Sequence, residues 1–277
     1  MTHHSQAVWE FPVGSSVTIL FTAFVYLRGW LRLRSTSLSD ISAWRAGSFL
    51  AGLFLTWIAA ASPLATLDHE LLTVHMIQHL LLMTFAAPLI LLGEPVRLLL
   101  HGVPRRFMRA VIDPVSRYSL LRRLGNALTQ PAFCWFAAVA ALVVWHVPAP
   151  LTLGMQSEAW HAVEHASFFA TGLLFWWPVV QPWPSVSRWP AWTMILYLFL
   201  ATLPCDILSG FLVFSERIAY PVYLSTPRQS GLSVLADQQC AGALMWTCVT
   251  IVYVVAGAIL STRLLSPHSN VQSWEGI

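Results

Sequence analysis

The sequence contains no lysine, so all 15 of its basic residues are arginine. Charge of either sign is scarce: Asp and Glu number 12, and charged residues make up 10 % of the 277 positions. A soluble domain carries roughly 25 %. A water-facing surface of ordinary polarity cannot be built from so few charges, which excludes a soluble enzyme, a nucleic-acid-binding protein and a disordered regulator. Cysteine is also sparse. Cys134, Cys205, Cys240 and Cys248 have no CxxC spacing and fall in apolar runs, so they read as small buried residues. A disulfide or a soft-metal role for Cys205 and Cys240, both expected toward the outer face, stays open. What the chain does have is 57 % hydrophobic residues and ten histidines.

A transmembrane helix needs about 20 mostly apolar residues. Seven stretches fit, at about 12–30, 43–61, 69–92, 131–147, 159–180, 189–214 and 234–262. Proline and glycine fall between several of them, as at Pro148 and Pro150, Pro182 and Pro184, and Pro227 with Gly231. The opening MTHHSQAVWEF lacks the basic stretch of a secretory signal, so the first run is expected to remain as an anchor. No internal repeat or composition shift marks a second domain. The expectation is an all-α polytopic membrane bundle, one domain over residues 1–277.

Arginine gives the bundle a direction. Thirteen of the 15 fall on one side of these spans, in the first and third linkers with their flanks and at Arg188 and Arg263; only Arg217 and Arg228 fall on the other. By the positive-inside rule the N-terminus is outside and the C-terminus inside. The long linker at 97–128 mixes Arg with Leu, Phe, Met and Val at helical spacing. It reads as an amphipathic segment lying on membrane lipids at the cytoplasmic leaflet. Topology already accounts for these arginines, so no nucleic-acid partner is expected.

Eight of the ten histidines sort to the other side, His101 and His268 being the exceptions. His75 and His79 are four apart near the start of the third span, and His161 and His165 repeat that spacing at the start of the fifth. Residues four apart share one helix face. His146 ends the fourth span, Asp206 lies in the later half of the sixth and Asp237 opens the seventh. With the orientation above, all of them fall in the outer part of the membrane. An ionisable group inside a span costs about 2.5–3.5 kcal/mol on insertion scales and marks function by default. Two His-x3-His pairs at one depth point to a metal or haem site. Glu164, Asp206 and Asp237 would be ligands or would fix imidazole tautomers. Met76, Met83 and Met155 are soft accessories or packing.

The residue types leave the metal open. Imidazole suits zinc, copper and iron, and sulfur donors shift preference toward Cu(I). His161-Ala-Val-Glu164-His165 matches the H-x-x-E-H zinc-peptidase signature, but it lies inside an apolar span. HELLTVH fails as H-E-x-x-H, because Thr73 takes the second ligand position. A seven-span zinc hydrolase acting on lipid amides or esters, and bis-His haem electron transfer between the third and fifth spans, are the other readings.

Several segments together resemble one family, the seven-span CtaG-type assembly factors of cytochrome c oxidase. They are HMIQHLLLMTFAAPLILLGEP, WHVPAPL, AWHAVEHASFFATGLLFWWPV, CDILSGFLVFSERIAYPVY and DQQCAGALMW, in that order from the third span to the seventh. The resemblance implies a non-catalytic role in building a haem–copper oxidase in the bacterial inner membrane. It implies copper as the metal, with oxidase subunits or other copper chaperones as partners. The motif positions fall on His75, His79, His146, His161, His165, Asp206 and Asp237. Glu164, Met76, Met83, Cys205 and Cys240 stand as accessories, Cys240 replacing an aliphatic residue usual after DQQ. Of these, His146 is the expected exchange ligand.

Overall fold

The computed structural model describes residues 12–35, 42–62, 64–108, 119–185, 189–226 and 231–265. Within them every regular element is a helix. The long ones are α1 (Val13–Ser35), α2 (Ala43–Ala61), α3 (Leu72–Leu92), α6 (Pro131–Trp145), α8 (Glu158–Val180), α9 (Ala191–Phe214) and α10 (Val234–Leu265). Shorter helices α4 (Pro95–Gly102), α5 (Ser119–Leu128) and α7 (Pro148–Gln156) join them. A helix therefore stands at each of the seven expected positions.

Five of these helices, α1, α2, α3, α9 and α10, are long and apolar enough to cross a membrane, and α6 with α7 makes a sixth if the bent pair is one span. At 23 residues α8 is about 34 Å long, enough for a hydrocarbon core of about 30 Å. His161, Glu164 and His165 in its first turns keep it more polar than the others. Large apolar side chains such as Phe21 on α1, Ile207 and Phe211 on α9, and Val254 on α10 are more than half exposed. In water such patches would associate; they suit lipid tails, as expected of a multi-pass membrane protein.

The fourth linker departs from expectation. Pro148 and Pro150 read as breakers, and the chain does bend there by 74°, but it restarts as the helix α7. Both prolines fall in the first turn of α7, where a missing amide proton costs nothing. Of the expected amphipathic linker at 97–128, α4 and α5 are helical, and residues 109–118 lie outside the described residues. The expected C-terminal limit of the last span, 262, is passed by α10, which continues to Leu265.

The central helix is α3. Two thirds of its most apolar stretch is buried (67 %), against 33 % or less for the other four, because α2, α8 and α10 all pack on it. Midway, Leu80–Ala86 widens into a π-helix, and α-helical winding resumes at Ala87 with Pro88 in its first turn. Such widened turns recur at functional sites because they shift the faces presented on either side. Here His75 and His79 lie above the shift and Met83 within it. At Gly172, α8 crosses so closely that a Cβ would stand 2.9 Å from the Met83 Cα.

Charge separates along the bundle as the sequence implies. Past the C-terminal end of α3, Glu94 pairs with Arg45 and, at 3.6 Å, with Arg97. His69, His75, His79, His146, His161 and His165 gather around the opposite, N-terminal end, while His101 stays on the arginine side beside Arg97.

Candidate metal centre

Asp237, in the first turn of α10, fixes where α3 begins. Its Oδ2 accepts the Leu72 N–H at 2.8 Å; its Oδ1 accepts the Thr73 N–H at 3.1 Å and the Thr73 hydroxyl at 2.7 Å. The first amides of a helix have no partner within it, and a carboxylate there meets both their hydrogen-bonding need and the helix dipole. Asp237 is fully buried, and it supplies this cap from a different helix. The face on which His75 and His79 stand is thereby set.

Those two rings lie 4.3 Å apart, centroid to centroid. Both turn Nε2 to one oxygen, Glu164 Oε1, at 3.2 Å from His75 and 3.3 Å from His79. His75 and Glu164 are completely buried and His79 nearly so. One donor atom from each of the three falls within 4.8 Å of the other two. Gly154 on α7 borders the carboxylate: a Cβ there would stand 2.7 Å from Glu164 Oε2 and would make the carboxylate shift. Trp145 on α6 donates to the Ser167 hydroxyl at 2.7 Å, and that hydroxyl donates to the Glu164 carbonyl at 2.7 Å, which ties α6 to α8 at this level.

A second group sits beside the first. Asp68, fully buried just before α3, has Oδ2 3.2 Å from His161 Nε2 and Oδ1 3.7 Å from His69 Nε2. Burial by itself would raise the Asp68 pKa. The close approach of the His161 imidazole and the charges of His69 and His75 outweigh it and hold the carboxyl below its ordinary value. Rings link the two groups: His161 is 4.2 Å from His165 and 5.8 Å from His75, and His79 is 5.6 Å from His165.

His146 ends α6, with Nδ1 2.7 Å from the Leu142 carbonyl. Nδ1 is then the donor, leaving the Nε2 lone pair free and buried. The His146 ring lies 6.4 Å from that of His79. The two line a cavity of about 50 Å³ whose wall also includes Met76, Met83, Cys205 and Met245.

Buried polar groups in folded proteins almost always have hydrogen-bond partners. Here many do not: Asp68 Oδ1 and Oδ2, His75 Nδ1, His79 Nδ1 and Nε2, His146 Nε2, His161 Nε2, His165 Nε2 and Glu164 Oε2. These nine of the 13 such atoms among the described residues belong to one cluster, and every one of their residue types is a metal donor. The residues present therefore fit a metal ion.

Of the residues singled out in the sequence, His75, His79, His146, His161, His165 and Glu164 come together. Asp237 is committed to the α3 cap. Asp206, half-buried on α9, forms no hydrogen bond or ion pair with any of these histidines among the described residues. Met76, Met83 and Cys205 reach the cavity, whereas Cys240 is exposed and unbonded to Cys205. Met155 instead lies 3.6 Å from the Tyr223 hydroxyl. In the H-x-x-E-H segment the acid's Oε1 meets His75 and His79 of α3. Sequence reasoning missed Asp68. Its signal was present: an acid next to His69, at the mouth of a span rich in histidine.

The sequence pattern of the cytochrome c oxidase caa3 assembly factor family (Caa3_CtaG) matches residues 24–266. The chain belongs to this family. It is also 24 % identical to an uncharacterised protein of Mycobacterium leprae and 26 % identical to one of Mycobacterium bovis, over 94 % and 97 % of its own length. It spans only about two fifths of those relatives, 40 % and 41 %. No solved structure matches it.

Proposed function

We propose that this member of the cytochrome c oxidase caa3 assembly factor family carries copper to the oxidase, holding it in the outward-facing histidine cluster. His75, His79 and Glu164 would be its principal ligands. His161 and His165 would extend the site, and His146 would serve as the exchange ligand over the methionine- and cysteine-lined cavity. Asp237 acts through the α3 cap, by keeping the His75–His79 face in place. Seven helices cross a bacterial plasma membrane in this reading, with the N-terminus outside, so the cluster opens toward the side where oxidase subunits or other copper chaperones meet it.

The carrying observation is the concentration of buried imidazole and carboxylate atoms without hydrogen-bond partners in one cluster. Two histidines with one carboxylate also suit zinc, as in hydrolases. The neighbouring thioethers and thiol favour copper in its monovalent state, and the family's oxidase role favours copper as cargo. A cargo site must release its ion. Neutral imidazoles can be exchanged one at a time for those of a partner, with no chemical change in the ion.

Metal analysis of protein purified from copper-replete cells tests this. Copper that the wild type holds against a chelator and that the variant lacking both His75 and His79 gives up, with oxidase activity lost in the same cells, is the expected result. Zinc accompanied by turnover of a lipid amide or ester would replace this reading with a hydrolase, and a Soret band would replace it with haem electron transfer. No copper, together with a functional oxidase in the His75/His79 double variant, would sink it.

A further inference from the structure

Asp68, His69 and His161 form a group of donors distinct from His75, His79 and Glu164, and the two groups differ in access to solvent. The His69 side chain is 45 % exposed and His161 14 %, whereas Asp68, His75 and Glu164 are at 0 %. One donor atom from each of Asp68, His69 and His161 lies within 4.8 Å of the other two. Asp68 is held firmly: its N–H donates to the Leu64 carbonyl at 3.2 Å, and its own carbonyl accepts the Tyr223 hydroxyl at 3.3 Å. Yet neither of its buried carboxylate oxygens has a hydrogen-bond partner of good geometry. A buried carboxylate is costly unless neutralised and fully bonded. Two imidazole nitrogens converge on it from different elements, one open to solvent and one facing inward.

We propose that Asp68, His69 and His161 are a separate outer metal site, which captures the ion from solvent and passes it to His75, His79 and Glu164. The proposal rests on the copper-carrier reading above and adds the route. His161 stands at the junction, its ring 5.8 Å from that of His75 and 4.2 Å from that of His165, which is in turn 5.6 Å from His79. The ion gives up its bonds to His69 and Asp68 as bonds to His165, His75 and Glu164 form. It keeps its charge and at no stage lies bare in the membrane. Exposure falls along the route, so His69 meets the incoming ion first and Glu164 receives it last.

The full-length protein in detergent, titrated with Cu(I) without oxygen against a chromogenic chelator, tests this. The wild type should take up two ions. His69→Ala and Asp68→Asn should each take up one, and the remaining ion should load at least about tenfold more slowly. The double variant His75→Ala/His79→Ala should keep one ion, which the chelator strips readily. His69 is half exposed, so its variant tests the site even if Asp68→Asn folds poorly. If both outer variants bind as many ions as the wild type and load as fast, the outer site is overturned. A lower melting temperature for Asp68→Asn with an unchanged ion count would reduce the group to a structural ion pair. A wild type that binds one ion, lost only with His75 and His79, would overturn the route and leave the copper carrier standing. A wild type that binds none would overturn the carrier itself.

Discussion

The Asp237 carboxylate on α10 accepts both the N–H and the hydroxyl of Thr73 on α3, at 3.1 and 2.7 Å, two residues before His75. A residue that looks like a ligand in sequence thereby caps the helix that carries His75 and His79. Replacing Asp237 by Ala should cost about 1–2 kcal/mol, the usual scale for a lost cap. Metal affinity should fall about 10- to 100-fold, as for groups that orient ligands. Asn keeps one acceptor oxygen for the Thr73 amide and hydroxyl but sets its NH2 against the Leu72 N–H, so Asp237→Asn should recover only part of both. Thermal melts paired with metal titration check this. A variant that melts normally but loses its metal, and that Asn does not rescue, would make Asp237 a ligand after all.

Gly154 offers a test free of donor chemistry. A methyl group at this position would press on Glu164 Oε2, because a Cβ stands 2.7 Å from it. Gly154→Ala should therefore weaken metal binding about 10- to 100-fold although it removes no ligand atom. Glu164→Gln, with nearly the same volume, should weaken it at least as much. Equilibrium titration of both against the wild type is the measurement, and an unchanged Gly154→Ala would place Glu164 outside the metal's reach.

Close packing of α8 on α3 predicts opposite outcomes for two glycines. Gly172→Ala should destabilise by about 1–3 kcal/mol, the scale of overpacking, since its Cβ would stand 2.9 Å from the Met83 Cα. Gly257 on α10 has nothing within 4 Å of the corresponding position, so Gly257→Ala should be neutral or stabilise by up to about 1 kcal/mol. Melting temperatures in one detergent compare them directly.

Topology has its own readout. With seven crossings and the N-terminus outside, a fluorescent protein fused at the C-terminus should fluoresce, and a periplasm-dependent phosphatase fused at the N-terminus should be active. An even number of crossings would place both fusions on one side and give a different pattern.

The legible part of the site was the part written within single helices. His75 with His79, and His161 with His165, each share a face because four residues nearly complete a helical turn. The scarcity of charge sufficed for a membrane bundle, and the one-sided arginines sufficed for the end of the bundle at which the histidines gather. Illegible were pairings across helices. Glu164 stands three residues from His161, which suggests a common site on α8. The structure instead sends Glu164 to His75 and His79 on α3, and His161 to Asp68. Nothing in the spacing along α8 says which neighbour each side chain will meet.

Absence of lysine and thinness of charge thus determined the class of this protein, because apolar length and charge asymmetry are properties of the chain alone. Donor types were fixed at that level too. Which carboxylate joins which histidines was decided only in the tertiary structure. A buried charge must find its partner wherever helix packing brings one, and for Asp68, Glu164 and Asp237 that partner lies on another element of the fold.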